Sequence, residues 1–139
     1  GLDDADSVAE QLRVAGFPRR EASNFDHPKP AYGIGGEADP AVWSKRFHGS
    51  ADPGRPANVH IRVDGWPNQT FALLFRDWLR ADDSITTEYS GIKRRASEAA
   101  AGITDFQSAI EAYENAKAPW FDVAYRRAWQ WAEETNWTA

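Results

Sequence analysis

Apolar and polar residues alternate with a period of two over Trp43–His48 and again over Asn58–Val63. In the first run Trp43, Lys45 and Phe47 share one side, and Ser44, Arg46 and His48 the other. In the second, Val59, Ile61 and Val63 oppose Asn58, His60 and Arg62. A period of two predicts half-buried strands. The intervening Ala51–Ala57 carries two prolines and a glycine, which suit a turn rather than a ladder. After Gly65-Trp66-Pro67-Asn68 the period changes. Phe71, Leu74, Phe75, Trp78 and Leu79 fall at i, i+3, i+4, i+7 and i+8, the apolar stripe of a helix. Sheet and helix are expected to pack through Val59, Ile61, Val63, Phe71, Leu74, Phe75 and Trp78.

The flanks are read in the same way. Leu2–Ala15 is expected to be one helix, with Asp3 or Asp4 as cap, a narrow face of Ala5, Val8, Ala9 and Leu12, and Gly16 as its stop. Phe17–Ala22 is read as a short strand. Ser23–Pro40 holds three prolines (Pro28, Pro30, Pro40) and Gly33, Gly35 and Gly36. It is read as a mobile loop, with a lid or binding loop as the alternative. Beyond Arg80 the chain is helical. Asp82, Asp83 or Ser84 starts a helix with Ile85, Tyr89, Ile92 and Ala96 inward, which Gly102 ends. Thr104–Gln107 has capping-box spacing. Pro119 is expected to kink the following helix or to open a new one. Phe121, Ala124, Tyr125, Ala128 and Ala132 make a stripe, with Trp120 and Trp131 on another side, for packing on both faces or for docking a partner.

Composition narrows the chemistry. A chain of 139 residues with seven Trp and seven Phe can build a core. There is no cysteine, which removes disulfides, thiolate metal sites and cysteine nucleophiles together. No run approaches the roughly 18 apolar residues of a membrane span. His27, His48 and His60 lack helical ligand spacing, so no metal site is expected. Asp4-Ala5-Asp6 has the form of a D-x-D metal motif. It falls at a helix start rather than on a strand between apolar residues, and is read as capping.

Charge singles out one region. The chain is net −5, yet Trp43–Arg62 holds Lys45, Arg46, Arg55 and Arg62 against Asp52 alone, with His48 and His60 among them. Such a concentration suits an anion such as a phosphate. The candidate ligand-binding residues are Lys45, Arg46, His48, His60, Arg62 and Arg76. A solvated antiparallel face would look the same. Arg76 and Asp77 are adjacent on a helix, and Asp77 is expected to bond a strand residue such as His60 or Arg62. Nucleic-acid binding is not expected from an acidic chain.

Several pieces together resemble the GrpB-like family, a branch of the nucleotidyltransferase superfamily. They are Arg46-Phe47, Asn58-Val59-His60-Ile61 and Phe75-Arg76-Asp77-Trp78-Leu79-Arg80, where the family has F-R-D-Y-L-R. Tyr89 with Ile92-Lys93, Tyr113 with Lys117, and Trp131 follow in the family's order. The similarity extends to actinobacterial proteins in which a GrpB-like domain follows a dephospho-CoA kinase.

The resemblance implies an α+β, nucleotidyltransferase-like fold. It has a small mixed or antiparallel sheet, helices on one side and a helical C-terminal half. It implies that residues 1–139 are a single, partial GrpB-like domain whose opening strands, with the metal-holding carboxylates, precede this sequence. A sheet edge would then be left for those strands or for a homodimer. The function implied is a non-catalytic accessory or regulatory domain, with the kinase module as its partner in cis, in the cytoplasm. No cofactor belongs to the segment itself; Mg²⁺ and ATP go with the kinase. The alternatives are a module binding a nucleotide or phosphometabolite, and a part of an active nucleotidyltransferase.

Overall fold

The computed structural model describes residues 1–21, 24–26 and 39–139. Most of the loop expected over Ser23–Pro40, His27 included, lies outside the described residues. The chain divides into two compact units, Gly1–Ala72 and Leu73–Ala139.

The first unit opens with two short helices, α1 (Leu2–Ser7) and α2 (Ala9–Val14), not one. The break has a local cause. The Ser7 hydroxyl donates to the Asp4 carbonyl at 2.6 Å, and the Val8 N–H reaches back only to Ala5. Such side-chain bonds compete with the helical ladder. Gly16 ends α2 as expected, at φ +92°. Its N–H bonds the Arg13 carbonyl, and the Phe17 N–H bonds that of Leu12. This paired closure needs the left-handed conformation that glycine adopts freely.

Strand β1 (Arg46–Gly49) pairs antiparallel with β2 (Asn58–Ile61), with Arg46 opposite Ile61, Phe47 opposite His60 and His48 opposite Val59. The expected strand start at Trp43 is instead the end of a 3-10 turn, Pro40–Trp43, capped by Asp39, which accepts from the Ala41 N–H. The turn leaves Trp43 only 2% exposed.

The strand expected over Phe17–Ala22 appears as an isolated bridge, Arg19 to His48, followed by a second, Phe25 to Ser44. Around them the Arg20 N–H bonds the Phe47 carbonyl and the Lys45 N–H bonds that of Asn24. Pro18 contributes only a carbonyl, to the Gly49 N–H, because it has no donor. The outer side of β1 is thus covered from within the chain.

The helix α3 (Pro67–Ala81) begins in the first unit and ends in the second. The second unit continues with α4 (Asp83–Ala100) and α5 (Phe106–Thr135). Asp82 caps α4 by accepting from the Ser84 N–H at 2.7 Å. Asp105, not Thr104, caps α5, accepting from the Ser108 N–H and hydroxyl. Pro119 does not open a new helix, for α5 runs through it. Pro119 and Asn115, whose carbonyl it leaves without a helical donor, are both exposed, so water can satisfy that carbonyl.

Leu74, Ala96, Ala124, Tyr125 and Ala128 are fully buried, with Trp78, Ile85 and Ala132 nearly so. Beside them Phe75, Tyr89, Trp120 and Phe121 form one aromatic cluster. Tyr89 stacks on Trp120 at 5.3 Å, and Phe75 meets Tyr89 edge-on at 5.4 Å. Trp120, assigned to a second face of α5, is therefore part of this cluster, and its indole N–H donates to Glu88 at 2.6 Å.

No helix among the described residues is long and apolar enough to cross a membrane.

Candidate anion site and family membership

The register divides the expected anion-binding residues. Phe47 stands opposite His60, and their rings lie 4.8 Å apart. Alternation places Lys45 and Arg62 on that same side. Arg46 and His48 take the opposite side, across from Ile61 and Val59. Arg76 belongs to the second unit, where it pairs with its neighbour Asp77.

Arg46 and His48 are engaged elsewhere. Arg46 makes a two-pronged bond to Asp6 at 2.7 and 2.8 Å, and Arg19 adds a third contact to the same carboxylate at 2.8 Å. Asp6, one half of the D-x-D, therefore ties α1 to the sheet region, a tertiary role beyond capping. His48 is fully buried, with Nδ1 2.9 Å from the Phe17 carbonyl oxygen.

The other side converges on one acceptor. Lys45 donates to Oδ1 of Asp26 at 2.6 Å, and Arg62 donates through Nε to Oδ2 at 2.8 Å. Asn68, near the start of α3, adds its amide N–H to Oδ2 at 3.3 Å and to the Ser44 carbonyl at 3.0 Å. Lys45 is 6% exposed and Asn68 3%, so both donors are held by the surrounding packing. Burial pushes the Asp26 carboxyl up. The hydrogen bonds from Arg62 and Lys45, with their charges, outweigh it and hold the group below its ordinary value.

His60 feels the same cations. His60 is itself exposed, yet desolvation by its surroundings, then the charges of Lys45 and Arg62, lower its imidazole from 6.5 to about 4, against a smaller opposing pull from Asp26. His60 is therefore neutral at pH 7. Between about pH 6.5 and 4 the unfolded chain takes up a proton that the folded chain refuses, so this group subtracts stability as pH falls through that window. A histidine NMR titration is expected to place His60 near pH 4. A midpoint near 6.5 would mean that neither desolvation nor the charges of Lys45 and Arg62 act on it.

Sequence reasoning missed Asp26 and Asn68. They lie 19 and 23 residues from Lys45 in opposite directions, and no local pattern links them. The only clue was the density of cations in an acidic chain, which implied that some carboxylate answers them. Arg62 is bonded to Asp26, and Asp77 bonds Arg76 and the Trp137 indole N–H, the latter at 3.2 Å. A side chain pinned to the residue next to it and to the segment after α5 is a structural tie.

The family model described as GrpB protein matches residues 1–127. The chain belongs to the GrpB family. The blocks that carried the resemblance include much of the second unit's core. Phe75 and Trp78 of the F-R-D-W-L-R segment are in aromatic contact, 5.9 Å apart. Tyr89 carries the Lys93 ammonium at 5.4 Å, and Tyr113 carries that of Lys117 at 4.2 Å.

The GrpB-family chain is 51% identical over 138 residues to a dephospho-CoA kinase of Mycolicibacterium paratuberculosis, covering 96% of this chain and 32% of that protein. It is 47% identical over 138 residues to a dephospho-CoA kinase of Mycobacterium leprae, with the same coverage. It is also similar to UPF0157 protein YqkA of Bacillus subtilis, at 27% identity over 114 residues, covering 82% of this chain and 32% of that protein. The chain thus spans about a third of the length of the curated relatives it matches.

Proposed function

We propose that this chain is the C-terminal accessory and regulatory domain of a dephospho-CoA kinase and performs no chemistry of its own. The observation that carries this reading is the 51% identity, over nearly all of this chain, to a third of a protein so named. The kinase module would bind ATP and Mg²⁺ and phosphorylate the 3′-hydroxyl of dephospho-CoA, in the cytoplasm. The state of the local carboxylates agrees with a non-catalytic part. Asp6 is committed to Arg46 and Arg19, and Asp26 to Lys45 and Arg62. Two-metal chemistry needs carboxylates free to hold metal.

The test is expression of the parent kinase with and without this segment. The shortened kinase is expected to lose solubility or turnover of dephospho-CoA, and the segment added in trans to restore part of it. A shortened kinase that is as soluble and as active as the parent sinks the reading.

One observation favours a second reading, a module that binds a nucleotide or phosphometabolite. Lys45, Arg62 and Asn68 already converge on an anionic group, Asp26. Of the six residues first considered, the site would use Lys45, His60 and Arg62. A thermal-shift screen against nucleotides, CoA and dephospho-CoA tests it. A ligand at 100 times its dissociation constant should stabilise by roughly 2.7 kcal/mol.

A further inference from the structure

Resting on that second reading, we propose that Asp26 is an internal stand-in for the ligand: a phosphate group occupies Lys45, Arg62 and Asn68 by displacing the Asp26 carboxylate. The site is a shared-anion site in which the chain's own carboxylate competes.

Three features of the first unit lead there. Among the described residues, Lys45 and Arg62 share a single bonded carboxylate, two full cations on one monoanion. A phosphate dianion would balance the pair; a carboxylate cannot. Arg62 bonds Asp26 only through Nε, so its two terminal nitrogens have no bond to this carboxylate. Arginine and a phosphate, with its additional oxygens, can meet through two parallel bonds. Finally, two of the three donors are more deeply buried than the acceptor. The Lys45 side chain is 8% exposed and Asn68 3%, whereas the Asp26 side chain is 23% exposed, close to the 19% of Arg62, on a segment whose Phe25 is 65% exposed. A rotation of the Asp26 side chain toward solvent would open the site without moving its donors. His60 is neutral at pH 7 and stands beside the pair, so its ring can offer a neutral N–H to a phosphate oxygen.

A purely structural ion pair makes the opposite prediction, because there Asp26 is the intended ligand and nothing replaces it. Isothermal titration of inorganic pyrophosphate at low ionic strength separates the two. The chains compared are the wild type, Asp26→Asn, Arg62→Gln and the double variant. Asp26→Asn keeps the shape and removes the competing charge. It is expected to bind pyrophosphate about tenfold more tightly than the wild type, and Arg62→Gln to remove that gain.

Equal binding by the wild type and Asp26→Asn, lost on Arg62→Gln, overturns the displacement and leaves the anion-binding reading standing. No binding by either folded chain overturns both. Should Asp26→Asn fail to give a cooperative melt, the wild type decides by NMR. The Asp26 carboxyl ¹³C resonance is expected to move toward that of a free carboxylate as pyrophosphate is added. Binding with that resonance unmoved overturns the proposal.

Discussion

Trp78→Ala costs about 3–5 kcal/mol of stability, the range for removing a large aromatic side chain from a packed core. Trp78 is 2% exposed. Its ring lies 5.9 Å from Phe75 and 6.4 Å from Trp120, and the Arg127 guanidinium covers it at 5.2 Å. Alanine would leave a void lined by these groups. It would also strip Arg127 of its aromatic partner, leaving the guanidinium its bond to Glu88 at 2.9 Å. Trp78→Phe keeps most of the area and should recover more than half of the loss. Urea denaturation followed by circular dichroism measures both. A loss below about 1 kcal/mol for Trp78→Ala would mean that the aromatic cluster does not hold the second unit together.

Asp26→Ala is expected to cost about 2–3 kcal/mol at pH 7, because it leaves two poorly hydrated cations facing each other. The Lys45 side chain is 8% exposed and that of Arg62 19%, so solvent replaces the lost carboxylate only in part. The sign of the pH dependence follows from the direction of the shift. The Asp26 carboxyl lies below its ordinary value in the folded chain. Its contribution is therefore complete above the unfolded value of about 3.9 and is lost as pH falls through the folded one. The gap between wild type and Asp26→Ala should be full at pH 7 and should close in strongly acidic solution. A gap of constant size across that range would make the loss one of packing, not charge. If the site is an anion site, pyrophosphate should also recover part of the deficit in Asp26→Ala and none in Arg62→Gln.

Much of the architecture was determined by the sequence alone, because the signals are local. The apolar stripe of Phe71, Leu74, Phe75, Trp78 and Leu79 specifies α3 by its period. Asp82 marks the start of α4, and Gly16 the end of α2. The alternation over Asn58–Val63 specifies β2, which ends two residues earlier, at Ile61. Where local signals competed, the reading slipped: Ser7 broke the first helix. Of the two outcomes open at Pro119, a new helix is excluded, since α5 continues through it with the orphaned carbonyl on an exposed face.

The site was decided only by the tertiary structure. Sequence alternation tells which residues of one strand share a side, but not which side of the partner strand they join. That depends on register, and a shift of one residue reverses it. Here the register joins Arg46 and His48 to the side of Val59 and Ile61, and Lys45 to that of His60 and Arg62. What had read as one basic surface came apart: Asp6 answers Arg46, Asp26 answers Lys45 and Arg62, and His48 turns to the Phe17 carbonyl. Those carboxylates lie far along the chain from the cations they hold, 40 residues for Arg46 and 36 for Arg62. Charge pairing over such separations leaves no periodic trace, so only the folded chain could reveal it.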